Sequence, residues 1–390
     1  METIKLQRQQ INIITLYPYL SGRRNIMRGQ TAIIGYGELP TKRIYPGRTM
    51  NGLLADAARE AMIDAHIQKE DIDGLVVEGG SIYPTAVSEY MGMAPNFITG
   101  VSTMGASGAT GVAVAAMAVY SGLAETVLVT LAGPRESGDP WGSAPTPGMR
   151  TEFENPYGPA IAANTGYALM YSRHMHEYGT TQEQLANIAV NQRFNALENP
   201  NAVFQGQPIE IKDVIDSRYI NYPIRLLESV MPCAGAFACI VTSAERAKSF
   251  PNKPVYILGA GIASDPLTTW QRDRLTVSAV TRSAPIAFKM SGYGPKDIEF
   301  AEFYDCYTIL EAVCLEDSGL VPKGEIGPFF AETDTTYKGS FPINTDGGQL
   351  SGGQPMDAGG FRHVIEATRQ IMGRGGKRQV ERNDLCLVNG

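Results

Sequence analysis

Histidine is scarce in this chain: among 390 residues only His66, His174, His176 and His363 occur. His174 and His176 lie two apart on a stretch with helical spacing, where side chains do not face each other, so no metal site is expected there. No two cysteines form a CxxC pair; Cys233, Cys239, Cys306, Cys314 and Cys386 sit in apolar surroundings, a pattern that suits buried thiols in a reducing cytoplasm. No apolar run reaches the roughly 18 residues that a membrane-spanning helix needs. Basic residues are the minority, 33 against 40 acidic, for a net charge of -7. No dense Lys/Arg block precedes the short tail at 374–382, so a surface that tracks nucleic-acid phosphates is excluded.

What is present is an alternation of strands and helices, in a chain long enough for two similar-sized domains. Residues 1–26 carry a mildly apolar stretch followed by Arg23 and Arg24, the reverse of a secretory signal's charge order, and are expected to lie outside the fold. Residues 31–36 (TAIIGY), 74–77 (GLVV) and 125–131 (ETVLVTL) read as strands, and 50–66 as a helix. Residues 105–121, apolar nearly all round, are expected to form a fully buried helix. Residues 132–225 change character, with Pro and Gly clusters and then helices near 160–178 and 181–197; they are expected to form a cap over the first half. The pattern then restarts, because 254–261 (PVYILGAG) echoes TAIIGYG. A strand at 299–303, helices at 308–318 and 357–373 and a strand at 384–388 follow. The expected fold is a five-layered αβαβα arrangement of two pseudo-repeated halves, 27–250 with the cap inserted and 251–390. Neither GYG nor GAG is followed by an acidic residue at dinucleotide-binding spacing.

Three stretches go beyond fold class. Met104-Gly105-Ala106-Ser107-Gly108 opens the buried helix, which runs on to Ser121-Gly122. Tyr304-Asp305-Cys306-Tyr307-Thr308 precedes a helix carrying Glu311, Glu316 and Asp317. Asn344-Thr345-Asp346-Gly347-Gly348 leads into Ser351-Gly352-Gly353-Gln354-Pro355. In that order they resemble the CASG-type nucleophile motif of thiolases, then the HDCF motif and the N-x-x-GG…GHP loop of the sterol-carrier-protein-X, or lipid-transfer, branch of that superfamily. The segment 174–181 (HMHEYGTT) is similar to a cap helix of the same branch, and the resemblance covers 29–390.

The departures matter more than the matches. Gly105 stands where a thiolase keeps its nucleophilic cysteine, Tyr304 where the branch has the histidine of HDCF, and Gln354 where it has the histidine of GHP. Glycine cannot carry an acyl group, so covalent transfer through this position is excluded. Ser102 reaches the nucleophile position only if the helix shifts by a turn. The resemblance implies instead a cysteine-free retro-aldolase, of the kind that shortens steroid side chains, acting on a 3-hydroxyacyl-CoA. An acyltransferase or thiolase, or a non-catalytic acyl-CoA-binding scaffold, are the alternatives. Tyr304 is then the expected acid/base group, provided that donors lower its pKa, with Asp305 beside it although strand neighbours point opposite ways. Gln354 is the expected neutral donor to the thioester oxygen, and Gly105, Ala106, Ser107, Gly348 and Gly353 are expected to line the substrate. Cys386 lies near the family's last catalytic cysteine but without its CxG spacing, which favours a structural role. No cofactor is expected beyond CoA as part of the substrate. A homodimer and a small partner bearing a zinc ribbon and an OB-like domain are implied by the same resemblance. So is a closing Gly-rich turn and strand beyond Gly390.

Overall fold

The computed structural model describes residues 27–79, 83–133, 163–266 and 272–390. The extension expected at 1–26 lies outside the described residues. In chain order the elements of the first half are β1 (Thr31–Glu38), α1 (Met50–Ala65), β2 (Gly74–Glu78), α2 (Pro84–Met91), β3 (Phe97–Val101), α3 (Ser107–Tyr120) and β4 (Thr126–Gly133). After them come α4 (Asn164–Tyr178), α5 (Gln182–Leu197), α6 (Ile211–Asp216), β5 (Tyr219–Asn221), β6 (Ile224–Arg225), β7 (Gly235–Ser243), α7 (Ala244–Ala247) and β8 (Val255–Tyr256). The chain ends with α8 (Val280–Ser291), β9 (Phe300–Glu302), α9 (Thr308–Asp317), α10 (Ile326–Glu332), α11 (Gly348–Gly352), α12 (Phe361–Ile371) and β10 (Cys386–Val388).

The main sheet has the order β3-β2-β4-β7-β1-β8. β2 runs parallel to both β3 and β4, whereas β7 is antiparallel to β4 and β1. β2, β4 and most of β7 are buried throughout, which is why their sequences are continuous apolar runs rather than alternations. Helix α1 covers one face with Leu53, Leu54, Ala57, Ala58, Ala61 and Ala65, at the three- and four-residue steps of one helical stripe. Its start is set by Thr49, whose hydroxyl accepts from the Gly52 N–H at 3.1 Å.

The other face packs against α3 and α12, which share a core with Val129, Phe237 and Val241. Helix α12 is buried on every side because a second, parallel sheet of β9 and β10 lies beyond it. Helices α8 and α9 close that sheet's outer face through Val280, Ala284, Ile309 and Val313. The layers are therefore α1 and α2, the main sheet, α3 and α12, the small sheet, then α8 and α9: the five-layered α/β fold that the sequence implies. At the centre α3 and α12 approach so closely that a Cβ on Gly108 would lie 2.5 Å from the Phe361 Cα.

Two expectations need correction. Helices α4 and α5 of the segment read as a cap over the first half do not lie there. Ala168, Met170, Tyr171, Leu185 and Ile188 of α4 and α5 bury their apolar faces in one core with Phe303, Ile309 and Phe330, on the C-terminal half. The echo at 254–261 also does not open a second full sheet. Only Val255 and Tyr256 are strand, and they pair with Ile33 and Ala32 of β1. Beyond them the chain runs along α8, where side chains at Gly259 and Gly261 would collide with the Ala287 and Ser283 carbonyls.

Candidate functional site

The tip of α3 is built differently from the simple helix start expected at Gly105. The helix proper begins at Ser107, preceded by a tight 3-10 turn, Met104–Ala106. Ser107 is fully buried, and its hydroxyl accepts from the Thr103 N–H at 3.0 Å, so it closes the turn and does not face a substrate. Met104 is held at φ 53 to make the bend. Met356 and Asn344, at φ 49 and 51, border the same region, so three of the four non-glycine residues with positive φ among the described residues gather around one place. Such strain persists only where the surroundings enforce it.

The space in front of Gly105 is taken by Tyr304. A Cβ built on Gly105 would fall on the Tyr304 ring at Cζ, Oη and Cε2. The residue that replaces the branch's histidine thus fills the volume left by the missing cysteine, and the two departures are one coupled change. Gly360, at the start of α12, completes the fit: a Cβ there would strike the Gly105 carbonyl oxygen and come within 3.2 Å of Tyr304 Cδ2. Ser102, three residues before this contact, is exposed.

Gln354 meets Tyr304 as well. Its Nε2 donates to the phenol Oη at 2.9 Å and to the Met356 carbonyl at 3.1 Å, while its Oε1 is buried without a partner among the described residues. Burial pushes the Tyr304 phenol well above its ordinary pKa; the charges of Cys306, Asp357 and Asp305 add to that, and the Gln354 donor only partly opposes it. The phenol is therefore a proton donor at neutral pH, not the lowered-pKa base that the sequence reading required.

Asp305 goes elsewhere. It is fully buried, and its oxygens accept from the Gln349 and Leu350 N–H groups at the start of α11, both at 2.9 Å. A Cβ on Gly348 would collide with the same carboxylate. Gly353, at φ 102, is pressed against Thr41 and Cys233. Asp305, Gly348 and Gly353 thus set the loop that delivers Gln354, whereas Gly105, Ala106, Tyr304 and Gln354 border the open side.

Two residues beside the site carried no signal strong enough to single them out. His363, on the first turn of α12, is fully buried with Nε2 3.3 Å from Asp305 and Nδ1 3.7 Å from Glu302, and its ring is edge-on to Tyr304 at 6.3 Å. Burial opposes its charge, but the hydrogen bonds and charges of Asp305 and Glu302 outweigh that and raise its pKa to about 9. Nine residues after Gln354, it lies too far along for any realignment to place it. Asp357 lies in the turn Met356–Ala358, half-buried, with its carboxyl raised above the ordinary range by burial and by Glu78. A carboxylate three residues after Gln354 was visible in the sequence. The other buried charges, Arg362 on Asp346 and Arg378 on Glu366, are paired beneath the site at 2.8 and 2.6 Å.

Residues 261–390 match the family model of the thiolase C-terminal domain-like region. The acetyl-CoA acetyltransferase of Methanothermobacter thermautotrophicus is 33% identical over 92% of this chain and 95% of its own. The 17-hydroxy-3-oxo-4-pregnene-20-carboxyl-CoA lyase of Mycobacterium tuberculosis is 31% identical over 89% and 93%. Among solved structures, the Ltp2-ChsH2(DUF35) aldolase superposes with a TM-score of 0.83 at 30% identity, over 91% of this chain and 93% of that one.

Proposed function

The chain belongs to the thiolase superfamily, in its sterol-carrier-protein-X and lipid-transfer branch, and from that premise we propose that it cleaves the Cα–Cβ bond of a 3-hydroxyacyl-CoA by a retro-aldol reaction. The observation that carries this reading is the Tyr304 phenol in the seat of the absent cysteine side chain. Without a nucleophile no acyl-enzyme forms, but a thioester enolate can still be generated and quenched. The β-hydroxyl loses its proton, the Cα–Cβ pair moves onto the thioester as an enolate, and a ketone or aldehyde departs. The 3-10 turn Met104–Ala106 and the uncapped start of α3 offer backbone N–H groups to the enolate oxygen. Tyr304, protonated at neutral pH, then gives its proton to Cα. Gln354 holds the phenol oxygen in place.

The test is product analysis with 3-hydroxyacyl-CoA substrates branched at the β-carbon. A carbonyl compound and a shortened acyl-CoA are expected from the native protein, with Tyr304→Phe slower by about 100-fold or more, the usual worth of a positioned proton donor. Full activity in Tyr304→Phe contradicts the role. Acyl transfer, the second reading, is favoured by the likeness to the acetyl-CoA acetyltransferase; it requires an acyl adduct on another residue, with the exposed Ser102 as the first candidate.

A homodimer through the β3 edge fits this reading. Among the described residues β3 ends the main sheet with one side unpaired, and Met104, Met117, Tyr120 and Leu123 beside it are 43, 45, 38 and 59% exposed. A zinc-ribbon and OB-like subunit is proposed by analogy with the neighbouring two-component aldolase. The buried thiols of Cys239, Cys306 and Cys314 support a cytoplasmic setting, and no described helix is long and apolar enough to cross a membrane.

A further inference from the structure

The retro-aldol reading leaves one proton unassigned. Tyr304 is a donor, Gln354 is neutral, and Asp305 is spent on the α11 backbone, so the group that removes the β-hydroxyl proton is missing from the site as expected from sequence. We propose that Asp357 is that base.

The geometry starts from the segment 354–360, which wraps the phenol. Its first residue, Gln354, holds Tyr304 Oη at 2.9 Å, and its last, Gly360, lies against the Gly105 carbonyl and Tyr304 Cδ2. Between them the Gln354 amide also fixes the Met356 carbonyl at 3.1 Å, and Met356 takes a left-handed conformation at φ 49. Asp357 follows directly, half-buried, on the turn Met356–Ala358 that packs against the turn Met104–Ala106. The turn that carries Asp357 thus lies against the turn whose front Tyr304 fills, and the Asp357 charge acts on Tyr304. Glu78, at the end of β2, is an acidic neighbour of Asp357. Burial and Glu78 both strengthen it as a base, while burial and the nearby anions keep Tyr304 protonated. Two neighbouring groups with their proton affinities set apart is the arrangement that separates an acid from a base.

The step balances. The Asp357 carboxylate takes the hydroxyl proton, the O–H electron pair becomes the carbonyl π bond of the departing ketone, and the Cα–Cβ pair becomes the enolate. Tyr304 then delivers its proton to Cα, and the proton held on Asp357 returns to the phenolate, so the protein ends as it began.

This assignment rests on the retro-aldol reading, and the experiment separates the two. Cleavage of a β-branched 3-hydroxyacyl-CoA and exchange of the α-protons of the shortened acyl-CoA in D2O are measured on the full chain, with its partner subunit if one is required. By the same cycle exchange needs Tyr304 as the phenolate with its proton held on Asp357. Asp357→Asn is therefore expected to lose at least about 100-fold in both and to lose the acid limb of its residual cleavage, while Asp357→Glu recovers part of each. Tyr304→Phe is expected to lose both. In the native protein kcat/KM for cleavage is expected to fall on acidification at a pH above the ordinary carboxylate range, as the base is protonated. Residual cleavage by Asp357→Asn that keeps the native acid limb means a structural role, and undiminished cleavage removes Asp357 from the chemistry; either overturns the assignment while leaving the reaction intact. A native protein that neither cleaves nor exchanges overturns the retro-aldol reading and this assignment with it.

Discussion

At the scale of single residues, the site is governed by exchanges of volume and charge. Gly105 and Tyr304 occupy one space between them, so they should respond as a pair. Gly105→Ala is expected to push the phenol out of register, costing about 1–3 kcal/mol of stability by overpacking and most of the activity. In a Tyr304→Ala background the same change should be nearly silent in stability. A double-mutant cycle in denaturant checks this, and additive effects would show that the ring does not fill the seat. Gly105→Cys alone should not restore acyl transfer, because the sulfur and the phenol claim the same volume.

His363 gives a second prediction at this scale. Its pKa is raised in the folded state from 6.5 to about 9, so the stability it contributes is fully present below about pH 6.5 and is lost as pH rises through 9. The shift corresponds to a loss on the order of 3 kcal/mol. Thermal melts between pH 6.5 and 9.5 should show this alkaline loss in the native protein, and His363→Gln should flatten it. The partners that set the effect are Asp305 and Glu302; the Gln349 amide lies 3.2 Å from the same ring at Nε2.

At the scale of elements, periodicity placed β1, α1, β2, α3 and β4 to within about two residues, because buried strands and one-sided helices write their environment into an uninterrupted run or a stripe, whereas α2, β3 and β7 went unread. Three further things were not legible. Residues 181–197 show amphipathic spacing, but a stripe says only that a face is buried, not against which half it lies. The 254–261 segment has strand composition, yet its glycines serve close approach to α8 rather than a ladder. The tip of α3 depends on a single hydroxyl, Ser107, which shifts the helix start by two residues from the glycine that the motif suggested. Gly108→Val is expected to cost at least about 2 kcal/mol, since its Cβ would meet the Phe361 backbone, and urea unfolding measures it.

At the scale of the whole molecule, the five layers place two helix starts, α3 and α12, on either side of Tyr304, with paired charges sealed below and a strained loop above. The candidate residues Tyr304 and Gln354 were legible because they replace histidines at recognisable positions, and the structure brings them into contact. Asp305 was legible as a residue and not as a role, because only the fold shows that it faces α11. The apolar surface beside β3 carries the oligomeric prediction. Met117→Asp should convert a dimer into a monomer in sedimentation velocity without unfolding it, and a native protein that is monomeric at micromolar concentration contradicts the β3-edge interface.

The central claim is that chemistry at the α3 tip proceeds without an acyl-enzyme. Its most direct test is the intact mass of the protein, rapidly quenched while it turns over a 3-hydroxyacyl-CoA. The account predicts an unmodified chain at every time point while ketone accumulates. An added acyl mass that forms and decays at the turnover rate, on Ser102 or any cysteine, would contradict it.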